Sequence, residues 1–212
     1  MTDLEHAMLT ALVQAIPEYQ ANLALPDPNL IEHYTDMQNR IYWIDTQIDD
    51  STLNLVKFII RCNKEDAGKP VEERKRILIM IDSPGGSVEV EQTVIGAIKT
   101  SKTPCYTCCY CTAMSAAADL LACGHRRFAL PFVNIMFHAG SSRYEGTQAQ
   151  IDSAKKFYDK MNKKVNDEVY ARVNFDNKTI KKLKTEDVYM DENEALKFGV
   201  IDEIITDFDI LF

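Results

Sequence analysis

The stretch ILIMIDSPGGSVEVEQTVIGAIKT, residues 77–100, changes period in its middle. Residues 77–82 are a short apolar run, consistent with a parallel strand buried on both faces. The SPGGSV that follows turns the chain. Val90, Val94, Ala97 and Ile98 then fall on one face of a helix over about 88–101. The pattern repeats downstream as a strand over 105–111, a helix over 115–123 and a second strand, VNIMFHA, over 133–139. Strands alternating with helices predict an α/β domain with a parallel sheet and right-handed crossovers.

Upstream, Leu4, Met8, Leu12 and Ile16 have helical spacing and stop at Pro17, and the proline-interrupted NLALPDPNL (22–30) reads as a loop or arm. RIYWID (40–45) reads as a strand. Ser51 is a candidate cap before the apolar helix in DDSTLNLVKFIIRC. NKEDAGKPVEERKR (63–76) reads as a charged surface loop. Downstream, Ile151, Ala154, Tyr158, Met161 and Val165 mark a long amphipathic helix over 147–172, more helix than one domain of this size needs for its own core. The tail offers a short helix, Gly199 and a strand.

With 212 residues, 46% hydrophobic and 26% charged, the chain has the composition of one globular domain. A net charge of −8 argues against a nucleic-acid surface, and KKLK (181–184) and ERKR (73–76) read as solvated faces beside acids. No apolar run is long enough to span a membrane. The start lacks the pattern of a secretory leader, so a cytoplasmic location is expected. Of the six cysteines, Cys105, Cys108, Cys109 and Cys111 crowd one segment, PCYTCCYC. Without a second pair at zinc-site spacing they read as a packed strand, and no metal or other cofactor is expected.

In an open parallel sheet, reactive groups collect at the carboxyl ends of strands. Three such ends carry unusual residues here: Ser83-Pro84-Gly85-Gly86, whose glycines can leave N–H groups free; Ser115, opening a helix inside CTAMSAAADLLACG (111–124); and His138. A hydroxyl, an imidazole, free N–H donors and a carboxylate are what acyl transfer requires. Taken singly, Ser115 could be a helix cap, His138 a structural histidine and the glycines a turn. Spacing does not choose the acid among Asp119, Asp187, Asp191 and Glu192.

From about residue 40 to 206 the chain resembles the Clp peptidase family. NRIYWIDTQIDD is similar to the family's first strand and turn, and IDSPGG to its I-N-S-P-G-G loop. TAMSAAADLLACG resembles the nucleophile segment, RFALPFVNIMFH the segment ending in the catalytic histidine, and DVYMDENEALKFGVIDEII the ending that carries the acid. The resemblance implies a spiral of β-β-α units of the Clp/crotonase-like type with a protruding handle helix. It divides the chain into a divergent N-terminal segment (1–39, helix plus arm) and a peptidase domain (40–212) with its handle at about 140–172. It implies a serine endopeptidase with Ser115 as nucleophile, His138 as general base, Asp187 as orienting acid, and the N–H groups of Gly86 and Ala116 as oxyanion hole. Unfolded polypeptides or peptides are the implied substrates, a homo-oligomeric barrel of two stacked seven-membered rings the implied assembly, and an AAA+ unfoldase a possible partner.

Departures from the family pattern are Cys111 for a glycine, Met114 before the nucleophile, Ala116-Ala117 for Met-Gly, His138-Ala139-Gly140 for H-Q-P, and Glu186 for an arginine. Two rival readings are a catalytically weak scaffold subunit and a crotonase-like acyl-CoA enzyme, which uses an oxyanion hole but needs no Ser-His-Asp set.

Overall fold

The computed structural model describes residues 27–140 and 143–211; the helix expected over 3–16 lies outside the described residues. The chain divides into two units between Gln38 and Asn39. Around the division runs helix α1 (Pro28–Asn39), which buries none of its residues. The stretch expected as an arm is thus helical from Pro28, because proline suits the first helical position and the Asp27 carboxylate accepts the Asn29 N–H at 3.0 Å.

The second unit is a mixed α/β domain with a mostly parallel sheet. Strands β1 (Ile41–Ile44), β2 (Ile77–Ser83), β3 (Cys105–Met114), β4 (Arg126–Ala129) and β7 (Glu203–Ile204) lie side by side in that order, all parallel. β5 (Asn134–Phe137) pairs with the far end of β3, and β6 (Val188–Met190) pairs antiparallel with β5. The helices are α2 (Leu53–Glu65), α3 (Val88–Thr100), α4 (Ala116–Ala122), α5 (Gln148–Tyr170), α6 (Asn177–Lys182) and α7 (Glu192–Lys197). β2 is buried along nearly its whole length, as its unbroken apolar run requires.

β3 extends three residues beyond the expected strand and changes partner along its length. Residues 106–109 pair with β4, and Thr112–Met114 with β5. Opposite β2 the register slips: Ile81 faces Cys109, but Ser83 faces Ala113. Between these pairs β2 has one residue and β3 has three, a bulge that bends β3 toward its second partner. The C-x-x-C spacings thus fall on a strand. Cys105, Cys108 and Cys109 are buried and Cys111 is exposed. Burial pushes the thiols of Cys105, Cys108 and Cys123 up to about 12 and that of Cys62 to about 11. An aromatic disulfide reagent is therefore expected to modify one thiol of the native protein quickly, Cys111, and the other five only on unfolding. A second fast equivalent in the released-thiolate assay would contradict this burial pattern.

Two sequence expectations need correction at β1 and α2. The capping side chain is Asp49, not Ser51: it caps a 3-10 turn (Asp50–Thr52) that leads into α2, its carboxylate accepting the Ser51 N–H at 2.8 Å, while Thr52 stands at the start of α2 itself. The 63–76 stretch is not all surface loop either. α2 runs to Glu65, and Asp66 is fully buried. Its carboxylate takes the Arg40 guanidinium through both oxygens, at 2.5 and 3.1 Å, and the Thr103 hydroxyl at 3.0 Å. Arg40 also reaches the Lys75 carbonyl at 2.7 Å. One buried ion pair thereby ties together the starts of β1, β2 and β3 and the end of α2.

The long helix appears as α5. Thr147 and Gln150 form a capping box at its start, and no residue before Val165 is buried. Its contacts run along α3: the Tyr158 hydroxyl donates to Glu89 at 2.6 Å, and Lys99 pairs with Glu168. No helix among the described residues is long and apolar enough to cross a membrane.

Candidate active site

Ser115 stands where β3 ends and α4 begins. Its φ of 54° lies in a region L-residues rarely adopt, and its side chain makes no cap hydrogen bond. The cap reading fails on this geometry. The backbone carries the turn instead: the Ser115 N–H donates to the Met136 carbonyl at 2.8 Å, while the Ser115 carbonyl accepts from Ala118 at 2.8 Å. The hydroxyl is left to point elsewhere, and it meets His138 Nε2 at 2.8 Å.

Sheet register explains that meeting. β5 lies beside the last three residues of β3, with Met114 opposite Met136, so the residues just past each strand end are neighbours. The same reasoning selects an acid. β5 and β6 are antiparallel with Phe137 opposite Val188, and one further step places His138 opposite Asp187. His138 Nδ1 lies 3.3 Å from Asp187 Oδ1. The histidine side chain is 25% exposed and the aspartate 49%, so the outer end of this series is open to water.

The other three candidate acids are engaged elsewhere. Asp191 caps α7, accepting the Glu194 N–H at 2.8 Å. Glu192 accepts the Phe132 N–H at 3.1 Å. Asp119 faces Glu91 across α4 and α3. Of the four, Asp187 is the one that strand pairing brings beside His138.

The glycine loop after β2 lies against the serine turn. A Cβ on Gly85 would stand 2.5 Å from the Met114 carbonyl oxygen and 2.8 Å from Ser115 Cβ. On Gly86 it would stand 2.1 Å from the Ile48 carbonyl oxygen, so neither position has room for a side chain. The Gly85 carbonyl and the Ser87 N–H bond to Ile48, both at 2.8 Å. This short parallel bridge leaves the N–H of Gly86 facing the opposite way. Ala116 is the first residue of α4, where no carbonyl of the same helix can take its N–H.

Ser115, His138 and Asp187 thus lie one beside the next at the strand ends of a mostly parallel α/β sheet. The Clp protease family model matches residues 29–208, and the chain belongs to that family. Its membership is that of a Clp-type peptidase.

Proposed function

We propose that the chain is a serine endopeptidase that cleaves peptide bonds through an acyl-enzyme on Ser115. The supporting observation is the Ser115 hydroxyl at 2.8 Å from His138 Nε2, with Asp187 Oδ1 3.3 Å from Nδ1 on the other side of the ring. His138 takes the hydroxyl proton as Oγ bonds to the substrate carbonyl carbon. Asp187 holds the ring so that Nε2 faces the serine, and stabilises the imidazolium. The Gly86 and Ala116 N–H groups receive the oxyanion. His138 passes its proton to the leaving amine, the C–N bond breaks, and water then repeats the sequence to release the acid and restore Ser115.

Family membership supports peptide substrates and homo-oligomeric rings. The largely uncovered first turns of α5 supply a face for a second copy. An AAA+ unfoldase that delivers unfolded polypeptide belongs to the same reading.

A fluorophosphonate probe on the full chain, read by intact mass, tests the nucleophile. One label on the wild type and none on Ser115→Ala is expected. A wild type that forms rings yet takes no label would overturn the catalytic reading. Light scattering on the same sample is expected to show an assembly, and a particle of one 24.1 kDa chain at every concentration would overturn the rings.

A further inference from the structure

The glycine loop that lies against Ser115 is fastened from two sides. On one side the Gly85 N–H donates to the Ser83 hydroxyl at 3.2 Å. Ile48 adds its N–H to the Gly85 carbonyl and accepts the Ser87 N–H, both at 2.8 Å. On the other side, Ser87 caps α3, its hydroxyl oxygen accepting the Val90 N–H at 3.3 Å. The same hydroxyl donates to Glu89 Oε2 at 3.1 Å, and Glu89 Oε1 accepts the Tyr158 hydroxyl at 2.6 Å. Tyr158 belongs to α5, so a hydrogen-bonded series runs from the long helix to the residue next to Gly86.

Tyr158 also stands at a crossing. Its ring meets that of Tyr144, six residues past His138, with centroids 5.9 Å apart. One side chain thus touches both the chain that leaves the histidine and the helix that follows the glycines. Val165, the first buried residue of α5, comes two turns later, so Tyr158 fastens a part of the helix that core packing does not hold. The contact is at the surface, where a hydrogen bond adds little to the stability of a fold. What it fixes is position. The Tyr158 hydrogen bond holds the Glu89 carboxyl below its ordinary range, so Glu89 bonds both hydroxyls as a charged acceptor.

We propose that Tyr158 and Glu89 are positioning residues for the reaction at Ser115: acting through Ser87, they keep the Gly86 N–H aimed at the oxyanion. This inference deepens the serine-peptidase reading and rests on it. Two adjacent glycines make a backbone that rotates freely, and an oxyanion donor works only where it already points at the developing charge. The Ile48 bridge sets the loop's height over the serine turn. The brace from α5 sets its rotation.

The rate at which a fluorophosphonate labels Ser115 tests this, because the phosphoryl oxygen gathers charge in the same hole. Turnover of a fluorogenic peptide is followed alongside. Tyr158→Phe keeps the ring and removes the hydroxyl. It is expected to label about tenfold more slowly than wild type and to lose a like factor in kcat, with KM within about twofold. Glu89→Ala is expected to lose as much, and the two together no more than either alone, since both act through one contact. Glu89→Gln, whose amide can accept from Tyr158 and donate to Ser87, is expected to restore most of the rate.

Equal labelling rates for wild type and Tyr158→Phe would overturn the inference while leaving the serine nucleophile intact. Losses that multiply in the double variant would overturn the route through Glu89. A wild type that takes no label overturns the serine reading and this inference with it. Tyr158→Phe and Glu89→Ala each decide alone, so one variant that does not fold leaves the test standing.

Discussion

Replacing His138 with alanine is expected to lower peptide hydrolysis by about 10⁶-fold, the scale seen when a serine hydrolase loses its base. The geometry gives the reason. His138 Nε2 is the group 2.8 Å from the Ser115 hydroxyl, and without it the proton must leave to water from an alcohol that scarcely ionises near neutral pH. Asp187→Asn is expected to cost less, about 10⁴-fold, since the imidazole remains but its tautomer and orientation are no longer fixed. Steady-state turnover of a fluorogenic peptide, with circular dichroism to confirm folding, checks both. A His138→Ala protein retaining more than about one part in a hundred of wild-type activity would remove His138 from the base role.

The largest expected loss of stability lies far from that site. Asp66→Ala is expected to destabilise the fold by about 3 kcal/mol, because it removes the buried carboxylate that takes both nitrogens of the Arg40 guanidinium and leaves Arg40 only the half-exposed carboxylate of Glu65 at 3.1 Å. The pH dependence follows from the same contact. The Arg40 hydrogen bonds hold the Asp66 carboxyl well below the usual carboxylate range, although burial opposes them. The unfolded chain, with an ordinary aspartate, takes up its proton first as pH falls. The stabilisation is therefore fully present above the ordinary aspartate range and is lost as pH drops through it toward the folded value. Urea unfolding should show the wild type losing more stability than Asp66→Asn between about pH 6 and about pH 3. Parallel pH profiles for the two proteins would show that the pair contributes nothing through ionisation.

The sequence showed the repeating strand–helix order because each strand is a run of apolar residues and each helix a face of them. β4 escaped that reading. It opens on Arg126 and Arg127, which look like loop residues until Glu203 and Asp202 are seen to pair with them. The burial of Asp66 was equally hidden. Its neighbours are charged and exposed, and the partner that explains it, Arg40, lies 26 residues upstream. At the site, residue types alone suggested Ser115, His138 and the glycine loop. Residue types and spacing left the acid open and the family resemblance pointed to Asp187; the β5–β6 register, a pairing across fifty residues of intervening chain that no local pattern encodes, is what brings it beside His138.

The backbone at Ser115 bears on the protein's history. A serine held at φ 54° sits uphill of glycine, which adopts that region freely, by about 1–2 kcal/mol. Glycine would fit the same turn and relieve the strain, and only the hydroxyl would be lost. Substitution by glycine therefore runs toward a more stable protein without the hydroxyl, whereas any other L-residue would inherit the strain. A lineage that kept the chain only as a building block would have every thermodynamic reason to let the serine go. On the proposed serine-peptidase reading, the strain at Ser115 is what the fold gives up to keep an oxygen at this turn.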